Sequence, residues 1–102
     1  MKTVFVQVGN SDDKLSQRLW EQLQYAVMGA VRNFAAQIYG EWFSLPTSGY
    51  QNACFGFTIL PTNEKALRNV LQRLTTNFRQ ESIAWNETGT TEFIRPKEPN
   101  DT

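Results

Sequence analysis

SQRLWEQLQYAVMGAVRNFAAQIY, residues 16–39, is the stretch on which the fold turns. Wound as an α-helix, it places Trp20, Leu23, Val27, Val31, Phe34 and Ile38 within about 80° of one another. That is an apolar stripe wide enough to roof a sheet. Ser16 is a good N-cap, and Leu15 and Trp20 are spaced as a hydrophobic staple. Gly40 then reads as the residue that ends the helix. Around this helix the rest of the chain must supply strands.

Thr3 to Val8 is the first strand: Val4, Val6 and Val8 share one face, and Phe5 and Gln7 the other. Apolar residues on both faces predict a central position. Gly9-Asn10-Ser11-Asp12-Asp13 has turn chemistry. Residues 41–45 and 53–60 read as the second and third strands, separated by a loop over 46–52 that is too long for a tight hairpin. Pro61, with Thr62 or Asn63 as cap, opens a second helix with Leu67, Val70, Leu71, Leu74 and Phe78 as its apolar stripe. Residues 82–85 form a fourth strand, 86–89 a turn, and 91–95 a short returning strand. The tail over 96–102 has two prolines and no apolar residue, so disorder is expected there.

The order is β-α-β-β-α-β with an extra C-terminal strand, in one α+β domain over residues 1–95. This is the ferredoxin-like split pattern: an antiparallel sheet with two helices on one face. Right-handed crossovers put strands one and three side by side at the centre. The same reasoning groups residues 9–13, Glu41 and residues 60–63 at one edge of the sheet. The loop over 46–52 and the turn after Trp85 are then expected at the opposite edge.

Composition narrows the chemistry. The 102 residues hold ten basic and ten acidic side chains and no histidine. A balanced charge predicts no general attraction to nucleic acid or to an anionic membrane. Without histidine, His-activated nucleophiles and His metal sites are excluded. Cys54 is the only cysteine, which rules out an internal disulfide and Cys-rich zinc sites. Its apolar surroundings predict a buried, inert thiol. No apolar run reaches the roughly 18 residues of a membrane span. The N-terminal apolar segment is too short and too alternating for a signal peptide. A cytoplasmic protein without cofactors is the simplest expectation.

Three features remain as candidate sites. Clustered carboxylates at Asp12 and Asp13, with Glu41, would suit a divalent cation and metal-dependent phosphoryl-group chemistry. Turn formation and complementarity to the helix dipole explain Asp12 and Asp13 without a metal, and that reading is preferred. Lys65, Arg68 and Arg79 project within about 60° of one another on helix two and would meet phosphates or acidic groups. A solvated face, offset by the acidic C-terminal segment, is the bland alternative.

The third feature is a surplus of aromatics beside amides. Trp42 and Phe43 are consecutive in a strand, so one of them faces away from the helices. Tyr50 precedes Gln51 and Asn52, and Trp85 precedes Asn86. Trp42, Tyr50, Asn52 and Trp85 are therefore the expected ligand contacts, with Lys65, Arg68 and Arg79. Helix one adds Tyr25, Met28, Gly29, Ala36 and Tyr39 outside its core stripe, with few charges, and these are the expected oligomer contacts. Gly29 weakens a helix interior by up to about 1 kcal/mol relative to alanine, which a close neighbour would offset.

The stretches Val4-Phe5-Val6-Gln7-Val8-Gly9-Asn10-Ser11-Asp12-Asp13-Lys14-Leu15, Gly40-Glu41-Trp42-Phe43-Ser44, Tyr50-Gln51-Asn52-Ala53-Cys54 and Glu81-Ser82-Ile83-Ala84-Trp85 resemble uncharacterised small proteins of phages and mobile elements. The resemblance carries no activity, cofactor or catalytic residue. It implies a setting in which compact proteins bind, block or sequester host components. The expected function is thus a non-catalytic, homodimeric binding module for a host protein or a small nucleotide-like ligand. The alternatives are the metal-dependent enzyme and a single-strand nucleic-acid binder using Trp42 and helix two.

Overall fold

A computed structural model describes residues 1–10, 15–87 and 90–98, with backbone alone at 90–92. Its elements run β1 (Lys2–Gly9), α1 (Gln17–Phe34), β2 (Gln37–Phe43), β3 (Asn52–Ile59), α2 (Pro61–Asn77), β4 (Ile83–Glu87) and β5 (Thr90–Ile94). The five strands form one sheet in the order β2-β3-β1-β4-β5, and every neighbouring pair is antiparallel. β1 and β3 therefore lie side by side inside the sheet, as expected. The residues expected to be a disordered tail lie outside the described residues from 99 onward, and 96–98 carry no regular structure.

One face of the sheet is the core. Val4, Val6 and Val8 of β1, Ala53, Phe55, Phe57 and Ile59 of β3, and Ile83 and Trp85 of β4 are buried in a single cluster. Trp20, Leu23, Val27, Ala30 and Val31 of α1 and Leu67 and Leu71 of α2 complete it. Phe34 and Leu74, expected in the core, pack against its margin. The Phe57 and Trp85 rings meet edge to face at 6.2 Å.

The first helix is shorter than its periodicity predicts. Ser16 caps it, its hydroxyl accepting from the Leu19 amide at 3.2 Å, and Leu15 and Trp20 are both buried. But α1 ends at Phe34: Ala35 is extended, and the Ala36 amide already donates to the Thr58 carbonyl at 2.8 Å. Ile38, Tyr39 and Gly40 belong to β2, and Gly40 is not a helix terminator. The physical reason is length. Eighteen helical residues span roughly 27 Å, and an eight-residue strand spans the same distance. A helix running to Tyr39 would overshoot the sheet that it covers. Ile38 suits either reading, since in β2 it pairs with Phe57.

The partition of the loops is also corrected. Gly9 pairs with Asn52, and Lys2 with Ile59. The end of β1 thus meets the loop before β3, not the start of α2. Val4 pairs with Glu87, so the end of β4 lies beside the start of β1, away from the loop over 46–52. Both errors have one cause: β3 runs against β1, so the end of one strand lies at the start of the other. Asn86 and Glu87, expected in a turn, belong to β4, while residues 88 and 89 lie outside the described residues.

The remaining caps are specific. α2 begins at Pro61 with Leu60 as its N-cap, rather than at Thr62 or Asn63, and no side chain caps it. Its other end is a Schellman turn. Gln80 N–H donates to the Thr75 carbonyl at 2.8 Å, Arg79 N–H donates to Thr76 at 3.3 Å, and Arg79 has φ 53°. Left-handed backbone suits glycine better than arginine. Arg79→Gly is expected to raise stability by about 1 kcal/mol in urea denaturation.

Candidate functional site on the open sheet face

The sheet face turned away from the helices carries the side chains that alternate with the core. The register lines up Trp42, Cys54, Gln7, Ala84 and Phe93 across all five strands. A second row runs Gly40, Gly56, Phe5 and Asn86. Trp42, Phe5 and Phe93 are 51%, 40% and 57% exposed, large values for aromatics anchored in a sheet. Four strand spacings separate Trp42 from Phe93, roughly 19 Å. Neither row carries a charged residue.

Two glycines set the posture of the Trp42 ring. A Cβ on Gly40 would collide with Cζ2 and Cη2 of that ring. A Cβ on Gly56 would come within 2.7 Å of Phe5 Cε1 and 3.2 Å of Trp42 Cζ3. The indole thus lies down over two residues without side chains, stacked beside Phe5 at 6.5 Å and an interplanar angle of 30°. Its opposite face is available to a ligand. Next to Phe5, the Asn86 amide donates to the Phe5 carbonyl at 3.3 Å and to Gln7 Oε1 at 3.2 Å. This holds two amides beside the rings.

The margins of the face are polar. A hollow of about 340 Å³ opens among Gln7, Gly9, Asn52, Ser82, Ala84 and Phe93. Thr58, on the same face two residues along β3 from Gly56, is 7% exposed, and its hydroxyl has no hydrogen-bond partner among the described residues. Cys54 is half-buried on this face rather than buried in the core. Burial pushes its thiol upward, partly opposed by a hydrogen bond with Gln7. The raised value favours the thiol over the nucleophilic thiolate.

The expected ligand contacts divide. Trp42 lies on the open face, and Asn52 borders it with its side-chain amide donating to the Tyr50 carbonyl at 3.0 Å. Tyr50 is 78% exposed in the loop between β2 and β3. Trp85 does not reach this face. It is fully buried under α2, its indole N–H donating to Glu87 Oε1 at 3.1 Å, because its strand parity matches Ile83 and not Ala84. Phe5, Gln7, Gly40, Gly56 and Phe93 were missed as site residues. The alternation of Phe5 and Gln7 against three valines was the signal that could have found the first two.

Of the basic stripe expected on helix two, Arg68 is committed elsewhere, and Arg79 lies past the end of α2 rather than on its face. Arg68 Nε donates to Glu64 Oε2 at 2.9 Å, its guanidinium lies 4.3 Å over the Trp85 ring, and Nη2 is 3.6 Å from Glu87. Lys2 Nζ bridges Glu64 and Glu87, at 2.9 Å to each. Lys65 and Arg79 are exposed. Lys2 holds both carboxyls below their usual range, and the two carboxylates raise Lys2 in return. The depressed carboxyls contribute stability above their unfolded pKa of about 4.3 and lose it as pH falls through their folded values. The raised Lys2 contributes fully below about 10.4 and loses its share as pH rises through its folded value. Lys2→Met should therefore flatten the fall of Tm between pH 5 and 2.5. Parallel acid slopes in the two proteins would count against the network.

The cation site suggested by the carboxylates is not assembled. Glu41 is held by Arg32, whose Nε and Nη2 donate to it at 2.9 and 2.6 Å and keep its carboxyl below the usual range. Asp12 and Asp13 lie outside the described residues. Among the described residues no group of three or more His, Cys, Asp or Glu is placed to hold a metal ion. Asn10 is structural: it is buried and ties β1 to the start of α1 and to Gln51.

Beside β2, on the helix side, a cleft of about 700 Å³ opens between α1 and the β2–β3 loop, lined by Trp20, Tyr25, Met28, Phe43 and Leu45 among others. Tyr25 and Met28 of the expected oligomer contacts thus share one wall. Tyr39 is exposed on β2, and Ala36 in the link between α1 and β2. Gly29 is exposed, and a Cβ there would meet nothing within 4 Å, so no neighbour among the described residues offsets it. No helix is long and apolar enough to cross a membrane among the described residues. Comparisons with family models, curated proteins and solved structures find no match to this chain.

Proposed function

We propose that this chain is a non-catalytic binding module that takes a planar, uncharged ring, such as a nucleobase, on its open sheet face. The observation that carries this reading is Trp42 lying flat over Gly40 and Gly56 beside Phe5. Stacking on such a ring is worth about 1–3 kcal/mol per base. The Gln7 and Asn86 amides supply donors and acceptors for a base edge. The strand order and the two crossover helices support a ferredoxin-like arrangement, whose uncovered face is the natural place for such contacts. Sequestration of a small ligand also suits the resemblance to phage and mobile-element proteins.

The neutral face favours the base over the phosphate. With Arg68 tied to Glu64, a single-strand binder gains little support, and Glu41 held by Arg32 gives none to the phosphoryl-group enzyme. A nucleoside should therefore bind about as tightly as its monophosphate, with little dependence on salt.

Trp85 is fully buried and Trp20 lines the cleft on the helix side, so Trp42 is the tryptophan that a ligand on the open face quenches. Titration of the four common nucleosides, read by tryptophan emission, is expected to give saturable quenching by at least one. Gly40→Ala should weaken that binding at least about tenfold, because the new methyl group lifts the indole from the sheet. Its melting temperature should stay close to that of the parent, since the displaced ring is solvent-facing. Absence of saturable quenching, or equal affinity in Gly40→Ala, would overturn the proposal.

A further inference from the structure

We propose that two copies of this chain pair through the outer edge of β2, joining their sheets into one of ten strands. This goes beyond the ligand reading and does not depend on it. β2 hydrogen-bonds to β3 on one side and stands at the end of the sheet on the other. Proteins blunt such edges with lysine, proline, inward charges or bulges. β2, QIYGEWF, has neither lysine nor proline, and its one charge, Glu41, is neutralised by Arg32 of the same chain. A single register irregularity between Ile38 and Gly40 is its remaining protection.

The surface around this edge is apolar on both sides of the sheet. Tyr39, Trp42 and Phe43 of β2, Leu45 just after it and Tyr25 on the adjoining flank of α1 are each 49% to 73% exposed. At about 200 Å² for a full aromatic side chain, the four other than Trp42, whose exposed face is left to the ligand, leave roughly 450 Å² uncovered. A stable interface buries about 800 Å² per partner, so these side chains supply most of it before the main chain of β2 is added.

The occupant is a second copy because the patch complements itself. In a two-fold contact the same surface appears on both sides, so its charges must cancel internally. The charged residues bordering the cleft are Arg18 and Glu21, one of each sign, and Arg32 with Glu41 forms a closed pair. An antiparallel β2–β2 pairing also satisfies the free main-chain groups of each edge with those of the other. A partner of strong single-sign charge would find no counterpart here.

Sedimentation velocity on the full chain, from about 1 to 100 µM, is expected to show a dimer that dissociates on dilution. Hydrogen exchange at the two ends of that range should show residues 37–43 exchanging more slowly in the concentrated sample. Tyr39→Lys introduces the edge charge that β2 lacks and should shift the protein to monomer. Tyr25→Lys, on the helix flank, should do the same if Tyr39→Lys fails to fold. Gly29→Glu, on the outward side of α1, should leave the dimer intact. A monomer throughout the range, unchanged exchange in residues 37–43, or dissociation by Gly29→Glu while Tyr39→Lys stays dimeric would each overturn the proposal.

Discussion

Replacing Phe57 with alanine is expected to remove about 3–5 kcal/mol of folding free energy. Phe57 is fully buried at the centre of β3, pairs with Val4 on one side and Ile38 on the other, and meets the Trp85 ring edge to face. Truncation there leaves a cavity that neighbours from three strands cannot close without moving the sheet. Lys65→Ala, on the exposed face of α2, should change stability by less than about 0.5 kcal/mol. Urea denaturation of both variants checks the pair. Losses of similar size would mean that β3 or α2 is wrongly placed.

Asn10→Ala should be nearly as damaging, at about 3 kcal/mol, although the residue lies just past the end of β1. Asn10 is 1% exposed, and its side chain makes three hydrogen bonds of 3.0 Å: to the Leu15 carbonyl, from the Leu15 amide and to Gln51 Oε1. Gln51 in turn donates to Gln17 at 2.7 Å, at the first turn of α1. Alanine leaves three polar groups unpaired at the place where β1 hands over to α1 and where the loop before β3 returns. Denaturant curves test this directly. A loss below about 1 kcal/mol would show that water replaces the amide and that the junction is not held by it.

The alternation of three valines with Phe5 and Gln7 was enough to place β1 inside the sheet, because only a strand covered on both edges and one face carries that pattern. The stripes of both helices, the N-cap at Ser16 and the staple of Leu15 with Trp20 were equally legible, being local devices set by side-chain spacing within a few residues. The candidate site was half legible. Trp42 could be named from its neighbour Phe43, since consecutive strand residues face opposite ways, but Trp85 was assigned to the same surface when its parity buries it beside Phe57.

What the chain decides locally ends where its pieces compete. Residues 35–39 continue a helical period and also suit a strand, and nothing within them prefers one state. Pairing of Gln37 with Thr58 and the span of an eight-residue strand settle the matter, and both are tertiary quantities. The same holds for Gly40 and Gly56. In the sequence they look like a helix stop and a weak point in a strand. Only the register brings them side by side, and two missing Cβ atoms become the bed on which Trp42 lies, because steric space is shared between strands that the sequence keeps sixteen residues apart.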